Sequence, residues 1–190
     1  MKYIRLFEQF EEGYKFDILD LFTISQNEVK ELFFKELKGN PPDLESIQVF
    51  LDSGLVDVHT KDEDGWTPLH SAARNNSLAV AQFLISSGAD LEAKDDMGRT
   101  PLHMAAMRNS LEVAKLLISS GAEVNAKDND GFTPLDWAAS RNSLELAQLL
   151  ISSGAEVNAK GYNGWTPLHW ATMNGYQEMQ ELLKSHGGVR

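Results

Sequence analysis

The sequence predicts an all-α solenoid in which short turn–helix–helix units stack on one another. Two observations carry this reading. A frame Gly-x-Thr-Pro-Leu recurs at Gly65, Gly98, Gly131 and Gly164, each 33 residues after the last, and a fixed period in this range marks a stacked repeat array. Each frame opens two short apolar-patterned segments, divided by Asn or Gly and, in the first three units, closed by Gly. The chain has 190 residues, 42% of them hydrophobic, which is enough for one continuous core along such an array.

Counted from the lysine before each turn, the units are Lys61–Ala93, Lys94–Ala126, Lys127–Ala159 and a shortened Lys160–Arg190. The second shows why each element forms. Lys94 to Gly98 reads KDDMG, and Asp with Gly is turn chemistry. Thr100 is a good N-cap, and Pro101 suits the first helical position because its missing N–H would have no partner there. The helix from Pro101 is short and alanine-rich, so neighbouring backbones can approach closely. Asn109 should close it, as Asn76, Asn142 and Gly175 do in the sister units, because Asn and Gly tolerate the left-handed conformation. Ser110 is the expected N-cap of a second helix. Leu111, Val113, Ala114, Leu116, Leu117 and Ile118 supply its apolar stripe, and Gly121 ends it. One unit cannot bury its apolar face alone. Stacking makes the core continuous and leaves the turns and first helices on one side.

The units resemble ankyrin repeats. TPLHSAA, TPLHMAA and TPLHWAT follow that family's T-P-L-H-x-A pattern, and GADLEA and the two copies of GAEVNA recur in register, over Lys61 to about Gly187. The resemblance implies partner binding by the turn tips and the exposed face of the first helices. It also implies a structural hydrogen bond from His70, His103 and His169 inside each unit, altered in the third, where Asp136 takes the slot. Asn125 and Asn158 lie where the family can be hydroxylated by an asparaginyl hydroxylase, with Glu92 at that position in the first full unit. Their other reading is hairpin stabilisation.

The ends depart from the pattern. In the last unit Thr172, Gln177 and Gln180 replace Ala or Leu at sites that would touch a following repeat, so the array is expected to stop there. Residues 25–60 read as a degenerate first repeat, with a capping box at Ser25 and Glu28 and Pro41-Pro42 between its helices. Met1 to Ile24 falls outside the pattern. Its Ile4, Phe7 and Phe10 either cover the first repeat or dock a partner.

Composition narrows the function. The formal charge of −11 disfavours nucleic acid and anionic membrane as partners. With no cysteine, there is no disulfide, thiolate metal site or cysteine nucleophile. No secretory leader or spanning stretch is visible, so a cytoplasmic or other intracellular setting is expected, with a secreted effector left open. The histidines lie one repeat apart and do not converge on a metal. Asp62, Glu63, Asp64, Asp95, Asp96, Asp128 and Asp130 read as turn chemistry on a solvated surface. No G-x-S-x-G, phosphate-binding glycine loop or H-E-x-x-H is present. No cofactor and no catalysis are expected.

The slots that vary inside the fixed frame are the candidate contact residues. In the turns they include Trp66, Met97, Arg99, Phe132, Tyr162 and Trp165. On the first helices they include Arg74, Met104, Met107, Arg108, Trp137, Arg141, Trp170 and Met173. All four tryptophans of the chain fall in this set, and Trp, Tyr and Arg dominate binding hot spots. Trp137 and Trp170 have a second reading, as half-buried packing against neighbouring first helices. The expected function is non-catalytic binding of a protein or peptide in a concave groove, by a monomer by default. The rivals are docking through residues 1–24, and an inhibitor or immunity-type protein that occludes an enzyme.

Overall fold

In the computed structural model, which describes residues 25–39 and 42–189, every Thr-Pro pair opens a helix. The first helices of the four units are α3 (Pro68–Arg74), α5 (Pro101–Arg108), α7 (Pro134–Ser140) and α9 (Pro167–Met173). Their second helices are α4 (Leu78–Ser86), α6 (Leu111–Ser119), α8 (Leu144–Ser152) and α10 (Gln177–Ser185). Two more helices precede them, α1 (Gln26–Leu37) and α2 (Leu44–Asp52). The proposed roles of Met1 to Ile24, and Pro41, lie outside the described residues.

The caps follow from the sequence with one exception. Asn76, Asn109 and Asn142 take φ of 53°, 56° and 56°, and Gly175 takes 72°, so each first helix ends through a left-handed residue. Ser25 and Glu28 form the expected capping box on α1, the Ser25 N–H donating to Glu28 Oε2 at 2.6 Å. Ser110 differs. Its hydroxyl makes no cap bond to its own helix but points to the Arg74 carbonyl of the preceding unit, 3.5 Å away. A serine wholly buried between units finds its acceptor there.

The helices form two layers. First helices pack on first helices (α1 on α3, then α3, α5, α7 and α9 in order), and α4, α6, α8 and α10 pack in a second row behind them. Ala72, Ala73, Ala105, Ala106, Ala138 and Ala139 are wholly buried where the first helices meet. Leu84, Leu117 and Leu150 are wholly buried on the facing stripe of the second helices. Burying one such leucine stabilises by roughly 1.5–3 kcal/mol, and the leucine recurs in every interior unit. At the first end, Phe33 packs against Phe34 and Phe50 with ring centroids 5.5 and 5.6 Å apart.

Backbone bonds between consecutive turns join the units. Asp96 N–H donates to the Asp64 carbonyl (3.2 Å), Asn129 to Met97 (2.9 Å) and Tyr162 to Asp130 (3.0 Å). Asn125 and Asn158 tie successive loops, Asn125 donating to the Gly154 carbonyl at 3.0 Å and accepting from Glu156 N–H at 2.8 Å. This close approach explains the frame glycine. Gly98 has φ +73°, and a Cβ there would stand 2.8 Å from the Asn129 backbone nitrogen. Gly98→Ala combines a left-handed strain of roughly 1–2 kcal/mol with that clash. Urea denaturation should show a loss of about 2 kcal/mol or more.

Candidate protein-binding face

The repeated geometry of the units begins with the histidine slot. Thr67 and Thr100 donate their backbone N–H to Nδ1 of His70 and His103, each at 3.1 Å. A ring nitrogen that accepts cannot carry the proton, so the neutral tautomer has its hydrogen on Nε2. Nε2 then donates to a carbonyl of the next unit, Arg99 O at 2.9 Å from His70 and Phe132 O at 3.1 Å from His103. The expected bond inside the unit is therefore half of the arrangement, and the other half joins neighbours. Burial of the uncharged ring lowers the pKa of both, that of His103 to about 4.

Three of the seven turn acids, Asp62, Asp95 and Asp128, are not the solvated groups the sequence suggests. Asp95 and Asp128 are 6% exposed. Their Oδ1 atoms accept from the N–H groups two and four residues on, Met97 and Arg99 in one case, Asp130 and Phe132 in the other. Each acid therefore builds its turn. Asp62, Asp95 and Asp128 differ in what meets Oδ2: Lys38 Nζ at 3.3 Å, Arg99 at 2.7 Å, and Trp137 Nε1 at 2.9 Å. Glu63, Asp64, Asp96 and Asp130 remain exposed at the tips.

The candidate contact residues divide by burial. Met97, Tyr162 and Met173 are 52%, 82% and 65% exposed, and Arg108 and Arg141 are exposed as well. Met104 corrects the sequence reading. It is 1% exposed and belongs to the core, because α5 is packed between α3 and α7 and its slot faces that seam. Arg99 is half-buried and fixed on Asp95 through both Nε and Nη2, with Met107 Sδ 3.9 Å from its Nη1. Trp66 packs on the core beneath two cations, Arg74 at 5.0 Å and Lys38 at 5.9 Å from its ring centre. Trp137 and Trp170 also pack against the core. Trp170 meets Phe132 and Trp165 edge to face at 5.3 and 4.9 Å.

A cleft of about 100 Å³ opens between the second and third turns and the helices α7 and α9. Phe132, Trp137 and Trp170 supply its aromatic wall, and Asp128, Asp130 and Asp136 its acids. Met97 and Arg99 come from the preceding turn. The sequence flags the aromatic residues here through their variable slots. It gives no sign that Asp128 joins them, because nothing in a turn motif tells a buried carboxylate from a solvated one. Among the described residues no group of three or more His, Asp or Glu side chains converges as metal ligands.

This is a solenoid of turn–helix–helix units that presents a variable surface on its turns and first helices. The family model for ankyrin repeats matches residues 37–128, 87–161 and 127–189. The chain belongs to the ankyrin repeat family. Ankyrin repeats are generally protein–protein interaction modules, and the proteins that carry them are typically non-catalytic scaffolds. No curated protein matches the chain. No helix among the described residues is long and apolar enough to cross a membrane.

Proposed function

We propose that this chain binds a protein or peptide partner, without catalysis, through the face formed by its turn tips and first helices. The observation that carries the reading is the placement of the exposed large apolar side chains. Four are found among the described residues, and Met97, Tyr162 and Met173, three of them, lie in the variable slots. Exposed apolar groups rimmed by polar ones mark interaction surfaces, and methionine adapts to irregular partners. Arg108 and Arg141, at the C-terminal ends of α5 and α7, together with the acidic tips give the face a mixed-charge character suited to a partner with both apolar and charged anchors. An intracellular setting is part of this reading, and the cysteine-free composition is compatible with it.

Affinity capture with mass spectrometry tests this reading. The bait is the wild-type chain beside two variants. One carries Met97→Ala, Tyr162→Ala and Met173→Ala; the other carries Glu145→Ala and Gln148→Ala on α8 in the second layer. A specific partner should weaken at least tenfold on the first variant, as for the loss of hot-spot anchors, and be retained on the second. Equal retention on both, with circular dichroism unchanged, would remove the face from the binding site.

A further inference from the structure

Two departures from the repeat pattern fall at the same cleft. In the first and second units the histidine Nε2 donates to the next turn. Asp136 fills that slot in the third unit, and its Oδ2 accepts from Thr133 N–H and Oγ1, both at 2.8 Å. That reproduces the bond within the unit. Oδ1 has no hydrogen-bond partner, although the residue is only 1% exposed. A buried carboxylate oxygen left unpaired is unfavourable and calls for a donor.

The second departure is at the turn acid. Phe132 stands where Arg99 stands one unit earlier, so Asp128 has no ion pair among the described residues and takes the Trp137 indole N–H instead. Nearby cations are engaged elsewhere. Arg99 is held by Asp95, and Lys127 Nζ donates to the Lys160 carbonyl at 3.1 Å. Two buried carboxylates without a counter-ion therefore line one cleft, beside three aromatic rings. Its volume of about 100 Å³ is far below the ~300–1,000 Å³ of a small-molecule site, and is on the scale of a single side chain.

We propose that this cleft receives a lysine or arginine side chain of the protein partner, paired with Asp136 and Asp128 and set against the rings of Phe132, Trp137 and Trp170. The inference rests on the binding face proposed above and states the chemistry of one anchor on it. A desolvated cation gains from aromatic faces as well as from carboxylates, and the net charge of −11 draws a basic partner from a distance. Oδ1 is covered in the free protein, so entry requires a side-chain rotation in the cleft wall, which the indole groups there would report.

The test uses the full chain, ¹⁵N-labelled at pH 7.5, titrated with Nα-acetyl-lysine amide, Nα-acetyl-arginine amide or the neutral Nα-acetyl-norleucine amide. The indole N–H signals of Trp137 and Trp170 should shift saturably with at least one cationic amide and not with norleucine. The tighter of the two cations identifies the anchor. Asp136→His restores the residue of the sister units and should keep the fold while weakening the response at least tenfold, as should Asp136→Asn. The inference is overturned by no saturable shift, by equal shifts with norleucine, or by variants that bind as wild type does. Oδ1 would then serve a buried water alone. Partner capture through Met97, Tyr162 and Met173 is a separate measurement and survives any of those results.

Discussion

Replacing His103 with alanine is expected to destabilise the fold by roughly 3–4 kcal/mol, or about 10 °C in Tm for a chain of this size. The ring is 0% exposed and sits in the middle of the array. Its removal leaves Thr100 N–H without its acceptor and opens a ring-sized cavity between two units. Phe132 O loses one of two donors and keeps Asp128 N–H at 3.0 Å, which is why the expected loss is not larger. The same burial sets a pH dependence. Because the pKa of His103 is lowered from 6.5 to about 4, its stabilisation is fully present above pH 6.5 and is lost as pH falls toward 4. His70 acts in the same direction. Equilibrium urea unfolding at pH 7.5 measures the first effect. A loss below about 1 kcal/mol would show that the inter-unit bond contributes little.

The architecture was legible because each repeat restates the same local instructions. Thr-Pro fixes the start of every first helix, Asn with positive φ ends three of them, and the leucine stripe sets the face of the second helix. Four registers of one pattern leave little freedom. The surface was less legible, since exposure at a slot depends on what the neighbouring unit places opposite it. Met104 and Trp137 share a slot, yet the methionine is core and the tryptophan lines a cleft. Asp95 and Asp128 share another, and only one has its arginine. These differences arise between units, at a separation of 33 residues, where no single-unit motif can record them. The histidine slot shows the same limit. Its repetition announces a structural bond, but only the stacked turns reveal that the bond crosses to the next unit.

Asp136→Asn is expected to raise stability at pH 7.5 by about 3 kcal/mol and to leave it nearly unchanged at pH 4. Burial is the main reason that the Asp136 carboxyl titrates at about 6 and not at its ordinary 3.8; the charge of Asp128 adds to it, and the Thr133 bonds and Lys127 oppose it. A carboxyl raised from 3.8 to about 6 corresponds to roughly 3 kcal/mol. Because the folded-state value is raised, the stabilising contribution is fully present below the unfolded value and is lost as pH rises through about 6. The ionised form is the one that burial penalises, and asparagine removes the charge while keeping an oxygen for Thr133. The wild-type curve should therefore be flatter than the variant's between pH 7 and 4, since Asp136 gains stability on acidification while His70 and His103 lose it. Thermal unfolding of both proteins across that range decides the matter, and a difference that does not change with pH would refute the buried-charge account. A cation bound in the cleft should act on the wild type as the asparagine does on the variant, by relieving the ionised carboxylate. The residue that weakens the array near neutral pH is then one of the two buried carboxylates that give the cleft its charge.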